Sequence, residues 1–281
     1  MSDWMLPGVF RFRGHTVRYG VSGAGAPVVL IHGTPFSSYV WRRIVPCLAT
    51  HRRVFYFDLL GYGQSDRRDV ADVSLGVQNQ LLAELLDHWQ LERPDVLAHD
   101  FGGATALRCH LLNGREFRSL TLIDPVAMSP WGIGFDGLVR ANEGLFRTLP
   151  ASIHEAVVRA YIRGAYNRVL PEADLTEYVR PWIGEVGQAA FYRQMSQFDL
   201  RYTDEVEPLY ANVRCPTLIL WGEADQWLPI DAGYRLRDHI PSAQFQAVAG
   251  SGHLMQEDAP EAIVGAVLGF LHMPNGSARS R

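Results

Sequence analysis

Three ionisable residues have the types and chain order needed for nucleophilic catalysis. Asp100 is the central residue of Ala98-His-Asp-Phe-Gly102, and this pattern of small, x, nucleophile, x, small is typical of a sharp strand–turn–helix that exposes a nucleophile. Asp225 and His253 follow it in the order acid, base. A carboxylate in the first position would attack an sp³ carbon and displace a leaving group. The histidine would then activate water to cleave the resulting ester.

The carboxylates leave two alternatives open. Aspartate is a preferred N-cap residue, so Asp100 taken alone is equally consistent with a simple helix cap; the complete set of three residues favours catalysis. Asp124 follows a predicted strand directly and is an alternative acid for His253. We prefer Asp225, which lies in the segment Gly222-Glu-Ala-Asp-Gln-Trp-Leu-Pro229.

Strand and helix patterns alternate on both sides of these residues. Short apolar runs predict strands over residues 9–12, 16–21, 27–31, 54–57, 96–98, 120–123, 217–221 and 244–248. Apolar residues at helical spacing predict helices over residues 73–89, 103–112, 232–239 and 259–271. This alternation predicts an α/β fold with a mostly parallel eight-stranded sheet and helices on both faces. Sites in such sheets form at the carboxyl ends of the strands, where the three residues lie.

The alternation stops between residues 128 and 208, where pieces with helical character replace the buried strands. We interpret this segment as a helical cap inserted after the sixth strand. The predicted organisation is a core domain over residues 1–127 and 209–272, a cap over residues 128–208 and a disordered tail over residues 273–281.

Composition narrows the possible functions. All 26 basic residues are arginines, and without a lysine the chain cannot be a Schiff-base, pyridoxal-phosphate or P-loop enzyme. The widely spaced Cys47, Cys109 and Cys215 and the absence of metal-ligand spacing predict neither cofactor nor metal. A net charge of −4 argues against nucleic acid and anionic membranes as partners. The first residues lack signal-peptide character and no apolar run approaches the length of a membrane span, so we expect a cytoplasmic protein.

From about Val9 to Leu271 the chain resembles the α/β-hydrolase fold family. Asp100 makes it similar to the branch with an aspartate nucleophile, which contains haloalkane and haloacetate dehalogenases and epoxide hydrolases. The segment from His32-Gly-Thr-Pro35 through Ser37-Ser-Tyr-Val-Trp41 resembles the dehalogenase stretch HGNPTSSYLW. The resemblance implies an oxyanion hole formed by the backbone N–H groups of Thr34 and Phe101.

The resemblance implies two leaving groups, an epoxide oxygen or a halide. Ala190-Phe-Tyr-Arg193 resembles the NWYR segment of epoxide hydrolases, which would make Tyr192 the proton donor to the ring oxygen. The positions that supply halide donors in haloalkane dehalogenases hold Thr34 and Phe101 here, and Asp100 lacks the arginines of the haloacetate motif HDRxxR. Trp131 is a further candidate halide donor from the cap.

We therefore expect hydrolysis of an epoxide to a diol. Dehalogenation is the first alternative, and a non-catalytic ligand-binding protein of the same fold is the second. The expected partners are a small apolar substrate and water, and the expected state is a monomer or homodimer. Candidate pocket residues are Phe36, Trp131, Tyr161 and Tyr166.

Overall fold

A single twisted sheet organises the chain. The structure is a computed structural model that describes residues 4–271. Its strands are β1 (Gly8–Phe12), β2 (His15–Ser22), β3 (Ala26–Ile31), β4 (Arg52–Phe57), β5 (Asp95–His99), β6 (Ser119–Ile123), β7 (Thr217–Gly222) and β8 (Ala243–Val248). They form an eight-stranded sheet in the order β1-β2-β4-β3-β5-β6-β7-β8. Only the pairings of β1 with β2 and of β2 with β4 are antiparallel in this described sheet. The predicted eight-stranded, mostly parallel sheet is confirmed.

The central strands are buried on both faces, which explains their continuous apolar runs. Every residue of β5, β6 and β7 is buried. The edge strands β1 and β8 alternate between less and more exposed residues, as expected for strands with one covered face. The loops that follow these central strands are therefore anchored to a rigid part of the sheet.

Helices cover the sheet and fill the long connection between β6 and β7. In chain order they are α1 (Val45–Leu48), α2 (Leu75–His88), α3 (Phe101–Leu112), α4 (Phe135–Ala141), α5 (Glu143–Phe146), α6 (Ala151–Arg163), α7 (Glu172–Val179), α8 (Gly184–Ser196), α9 (Arg201–Asp204), α10 (Ile230–His239), α11 (Met255–Asp258) and α12 (Pro260–Leu271). Short 3₁₀ helices span Ser38–Arg43, Arg180–Trp182 and Glu207–Asn212. Among residues 4–271, none of these helices combines the length and apolar character needed to cross a membrane.

The connection between β6 and β7 contains α4 to α9 and no strand. We call this helical region the cap. The proposed domain limits at residues 128 and 208 stay a prediction, and the predicted disordered tail at residues 273–281 lies outside the described residues.

Helix boundaries differ from expectation where a helix abuts a strand or is very short. Helix α3 begins at Phe101 rather than Gly103, because Asp100 alone makes the turn between β5 and the helix. The short helices α1 and α11 were not predicted, since about one turn is too short to show helical periodicity.

Candidate active site

The turn between β5 and α3 holds Asp100 in a strained backbone conformation. Its φ and ψ are 52° and −119°, a region that residues other than glycine rarely adopt and that costs about 1–3 kcal/mol. Close packing surrounds the turn: a Cβ on Gly102 would lie 2.4 Å from the carbonyl oxygen of Ile31, and one on Gly103 would lie 2.5 Å from Cβ of Pro125. The small residues on the helix side of the motif are therefore required sterically.

The carboxylate of Asp100 is fixed by the loop that follows β3. Its Oδ1 accepts a hydrogen bond of 2.7 Å from the N–H of Thr34, and the carboxylate also accepts one from the N–H of Phe101. Gly33 lets this loop approach, since a Cβ there would lie 2.3 Å from Cβ of Asp100. The two N–H groups named from the sequence thus converge on one carboxylate.

His253 connects Asp100 to Asp225. Its Nδ1 lies 2.9 Å from Oδ2 of Asp225, and its Nε2 lies 3.4 Å from Oδ2 of Asp100. Oδ1 of Asp225 accepts hydrogen bonds from the N–H groups of Trp227 and Leu228, at 2.7 and 2.9 Å. The acid is therefore held by its own turn while its other oxygen orients the imidazole.

The alternative acid, Asp124, does not reach the imidazole in this way. Its Oδ1 accepts a hydrogen bond of 2.8 Å from the N–H of Gly222, and its buried Oδ2 has no hydrogen-bond partner among the described residues. Burial, followed by the charge of Asp225, raises the pKa of Asp124 well above its ordinary value. This geometry favours Asp225 as the partner of His253.

The electrostatics of the three residues reflect an ion triplet. Burial alone would lower the pKa of His253, but Asp225 and Asp100 outweigh it and raise the pKa well above 6.5. Burial alone would raise the pKa of Asp100, but the polar contact with Nε2 of His253 at 3.4 Å and the charge of that imidazole lower it. The free site therefore favours an imidazolium between two carboxylates.

A second buried histidine, His99, stays neutral beside this triplet. Its ring centroid lies 4.9 Å from that of His253. Burial, together with the charge of His253, lowers the pKa of His99 to about 3. Because its Nε2 lies 3.0 Å from the carbonyl oxygen of His253, Nε2 carries the proton and donates it there.

Aromatic residues connect the triplet to the cap. The ring of Trp227 lies 4.9 Å from that of His253 at an interplanar angle of 31°, and the ring of Tyr161 lies 4.6 Å from that of Trp227. Phe36 stacks against Trp227 at 6.1 Å and 17°. Two predicted pocket residues, Phe36 and Tyr161, are thus brought to the site. Trp227 was missed, although its position two residues after Asp225 in a strand-end loop could have indicated it.

The assignment of Tyr192 as the proton donor is wrong for this structure. Its hydroxyl lies 3.0 Å from Nδ1 of His154. Nε2 of His154 lies 2.8 Å from the carbonyl oxygen of Trp182 and must donate to it, so Nδ1 accepts the proton of Tyr192. The ring of Tyr192 is fully buried and packs against Phe146 at 5.4 Å. Its hydroxyl therefore donates a hydrogen bond within the cap, and its ring contributes to packing there.

Trp131 and Tyr166 do not have the contacts expected of a halide donor and a pocket residue. Nε1 of Trp131 donates a hydrogen bond of 2.9 Å to Oγ1 of Thr203, so it is not a free halide donor. Its ring packs edge-to-face on Phe101 at 5.5 Å and shapes the wall beside the nucleophile. Tyr166 lies beside Arg163 and near Asp258, and it shares no contact with the catalytic triplet among the described residues.

Tyr62 and Gln194 are polar residues of the site that the sequence did not reveal. Oε1 of Gln194 accepts hydrogen bonds from Oγ1 of Thr34 at 2.5 Å and from the hydroxyl of Tyr62 at 3.1 Å. Its Nε2 is buried without a partner among the described residues. Burial raises the pKa of both Tyr62 and Tyr161, and the charge of Asp100 adds to both shifts. The charge of Asp100 thus acts on two phenols, and the amide of Gln194 contacts Thr34, whose N–H binds the carboxylate.

No group of three or more His, Cys, Asp or Glu side chains within residues 4–271 is arranged to hold a metal ion. The polar groups at the site are the carboxylates, the imidazole, the phenols and the amide.

Comparison with known proteins agrees with this architecture. An alpha/beta hydrolase fold protein from Burkholderia ambifaria has a solved structure that is 52% identical, with a TM-score of 0.92 over 95% of this chain and 98% of that chain. The chain is 29% identical to a 2-hydroxy-6-oxo-2,4-heptadienoate hydrolase of Pseudomonas putida, over 89% of this chain and 90% of that protein. It is 25% identical to a cis-3-alkyl-4-alkyloxetan-2-one decarboxylase of Shewanella oneidensis, over 96% and 91%. The sequence model of the alpha/beta hydrolase fold family matches residues 26–260. The chain belongs to the alpha/beta hydrolase fold family and is a hydrolase of that fold.

Proposed function

We propose that this hydrolase uses Asp100 as a covalent nucleophile toward an sp³ carbon of an epoxide and cleaves the resulting ester with water activated by His253. The main support for the proposal is that the two carboxylate oxygens of Asp100 have different contacts. Oδ1 accepts the hydrogen bond of Thr34, whereas Oδ2 faces Nε2 of His253. One oxygen is thus held in place while the other is available for attack.

In the first step, Oδ2 of Asp100 forms a bond to the epoxide carbon. The ring C–O bond breaks, its electron pair passes to the ring oxygen, and that oxygen takes a proton from an acid of the site. The product of this step is an ester between Asp100 and a hydroxyalkyl group.

In the second step, the loss of charge on Asp100 changes His253. The carboxylate is one of the groups that raise the pKa of this imidazole, so esterification lowers that pKa. The imidazolium then returns its proton, through water, to the acid that protonated the ring oxygen, which leaves His253 as the neutral base. His253 then takes a proton from water, and the hydroxide attacks Cγ of the ester. The N–H groups of Thr34 and Phe101 stabilise the oxyanion on Oδ1, and collapse releases the diol.

The carboxylate favours an sp³ carbon over a carbonyl carbon. Attack of a carboxylate on an acyl group would give a reactive mixed anhydride, whereas attack on an epoxide carbon relieves ring strain and gives an ordinary ester. The Shewanella oneidensis relative is named for an oxetan-2-one substrate, which is also a small ring with a C–O bond at an sp³ carbon. This likeness supports a strained cyclic C–O substrate.

Cleavage of a carbon–halogen bond is a second candidate, supported by the amide of Gln194. Its Nε2 hydrogens have no partner among the described residues, and they lie on the side chain whose oxygen contacts Thr34. A halide needs only hydrogen-bond donors as it leaves, so this amide suits it. Against this candidate, the side-chain donor of Trp131 is already bound to Thr203.

Intact mass of a His253→Gln variant tests the proposal, because this variant retains Asp100 but loses the base. After incubation with styrene oxide, the protein should gain the mass of the whole epoxide on the peptide that contains Asp100. A bromoalkane would add only its alkyl group, which separates the two candidates. The double variant Asp100→Asn, His253→Gln is the control and should gain nothing.

Two outcomes would refute the proposal. One is a substrate that the wild type turns over but that leaves no adduct on the inactive His253→Gln variant. The other is turnover of 2-hydroxy-6-oxo-2,4-heptadienoate, the substrate in the name of the Pseudomonas putida relative, with no activity on epoxides or bromoalkanes.

A further inference from the structure

The two backbone donors to the carboxylate of Asp100 are held by different parts of the molecule. Phe101 is the first residue of α3, so its N–H is fixed by a helix of the core. Thr34 lies in the loop that follows β3, and its N–H donates to Oδ1 of Asp100 at 2.7 Å. A hydrogen bond of 3.0 Å from the N–H of Phe36 to the carbonyl oxygen of Gly33 closes a turn around Thr34. Because loops shift more easily than helices, the position of this donor depends on what holds the turn.

The cap holds this turn at two successive residues. Oγ1 of Thr34 donates a hydrogen bond of 2.5 Å to Oε1 of Gln194 in α8. The carbonyl oxygen of Pro35 accepts one of 2.8 Å from Nε1 of Trp182, which lies in the 3₁₀ helix before α8. The turn therefore connects a backbone donor of the nucleophile directly to the cap.

Gln194 is the polar residue at the centre of this connection. Its side chain is buried, and its Oε1 also accepts a hydrogen bond of 3.1 Å from the hydroxyl of Tyr62. Its Nε2 has no partner within residues 4–271. Burying an amide with half of its hydrogen-bonding groups unpaired is unfavourable, so packing alone does not account for a glutamine here. The contact of Oε1 with Thr34 gives the amide a specific role.

We propose, on the basis of the proposed function, that Gln194 is a positioning residue that completes the oxyanion hole for hydrolysis of the Asp100 ester. Its Oε1 accepts the hydrogen bond from the hydroxyl of Thr34 and so holds the N–H of the same residue on Oδ1. Gln194 acts through Thr34. One of the two oxyanion donors is thus in place only when the cap is in place.

The two steps of the reaction should respond differently to the loss of this contact. As the ester forms, the negative charge on Asp100 disappears, so the N–H of Thr34 contributes less than it does in the free carboxylate. As the ester is hydrolysed, negative charge develops on Oδ1, and the same N–H stabilises it. Only an interaction that is stronger in the transition state accelerates a step. A displaced Thr34 should therefore slow ester cleavage and should not slow ester formation.

The experiment measures the two steps separately in the His253→Gln variant, in which the ester accumulates. Intact mass first gives the rate of adduct formation at saturating styrene oxide. Excess epoxide is then removed and hydroxylamine is added, which attacks Cγ of the ester, releases the diol and leaves a hydroxamate on the side chain. We expect Gln194→Met to slow this cleavage by about tenfold or more, up to the roughly 10²–10³-fold effect of deleting an oxyanion donor. Adduct formation should be no slower.

Gln197→Met is the matched control. Gln197 directly follows α8 and also connects the cap to the core, because its amide accepts from the N–H of Val73 at 2.8 Å and donates to the carbonyl oxygen of Ala71 at 2.7 Å. The variant loses contacts of the same kind but leaves Thr34 held. Ester cleavage should therefore keep the rate of the His253→Gln reference.

Thr34 gives a second test of the same hydrogen bond. Thr34→Ser keeps the hydroxyl and should retain the reference rate of ester cleavage. Thr34→Val removes the hydroxyl but keeps the N–H, so it should slow ester cleavage as Gln194→Met does. Combining Thr34→Val with Gln194→Met should add little, since residues in direct contact have non-additive effects.

The possible failures have different meanings. An unchanged rate of ester cleavage in Gln194→Met or in Thr34→Val would overturn the inference alone. So would an equal slowing in Gln197→Met, or fully additive effects of Gln194→Met and Thr34→Val. The absence of any adduct in the His253→Gln reference would overturn the covalent mechanism and the inference with it.

Discussion

Asp225 and Asp124 are two buried carboxyl groups that differ in what they bind. Asp225 offers one oxygen to the backbone of its own turn and the other to Nδ1 of His253. Asp124 offers one oxygen to the N–H of Gly222 at the end of β7. The first arrangement orients an imidazole, and the second ties two strand ends together.

Replacing each carboxyl group with an amide separates these two functions. Asp225→Asn should slow ester hydrolysis by about 10³–10⁴-fold, because the imidazolium loses its support. Asp124→Asn should slow it by less than about tenfold, since the backbone contact can persist. Single-turnover kinetics that resolve adduct decay provide the measurement. If Asp124→Asn has the larger effect, Asp124 is the acid.

The raised pKa of His253 links protonation to stability. A group whose pKa is higher in the folded than in the unfolded chain stabilises the fold fully below its unfolded value, here 6.5, and loses that contribution as the pH rises through the folded value. The free energy of unfolding of the wild type should therefore fall with rising pH above neutrality more steeply than that of His253→Gln. Urea unfolding of both proteins over this range tests the difference, and parallel curves would contradict it.

Individual elements show which features the sequence could predict. The strands and the long core helices followed from apolar periodicity, because that signal is local. The likeness of Ala190-Phe-Tyr-Arg193 to a known motif named Tyr192 as a proton donor, whereas the structure places its hydroxyl against His154. Which side of a cap helix faces the nucleophile depends on the packing of α4, α6 and α8 against one another, and no local pattern encodes that packing.

Two helical glycines test the packing at the start of α3. A Cβ at Gly102 would lie 2.4 Å from a backbone oxygen of β3, whereas a Cβ at Gly265 in α12 would meet no atom within 4 Å. Gly102→Ala should therefore lower the melting temperature and abolish adduct formation. Gly265→Ala should stabilise the protein by about 0.5–1 kcal/mol, as expected for alanine in an open helical position. Equal melting temperatures for the two variants would show that the turn tolerates a side chain.

At the scale of the whole molecule, buried polar contacts hold the cap on the core. Arg42 of the core lies 2.9 Å from Asp174 of α7 and forms an ion pair with Glu257 of α11. The hydroxyl of Tyr178 in α7 also donates to Glu257. In the 3₁₀ helix that follows α7, Nε1 of Trp182 donates to the carbonyl oxygen of Pro35 at 2.8 Å. These contacts connect the cap to the core near the loop that follows β3.

Removing Arg42 should loosen this connection. Arg42→Met leaves the carboxylate of Glu257, whose side chain is 2% exposed, without its main partner. We expect a loss of about 1.5–3 kcal/mol in the free energy of unfolding, as for the loss of a hydrogen bond to a charged group, because Tyr178 and Arg43 remain as partners of Glu257. Arg43 contacts the same two acids but is 40% exposed, so Arg43→Met is the matched control with a smaller expected effect. Urea unfolding measures both, and equal losses would mean that burial of the pair is unimportant.

A single turnover in ¹⁸O-labelled water tests most directly whether Asp100 forms the covalent bond. With wild-type protein in excess over styrene oxide, water attacks Cγ of the ester, so the label should enter the carboxylate of Asp100 while the first diol carries an unlabelled oxygen from the protein. Mass spectrometry of the diol and of the peptide containing Asp100 provides both measurements. Label found in the diol and absent from Asp100 would mean direct attack of water on the substrate and would contradict the mechanism.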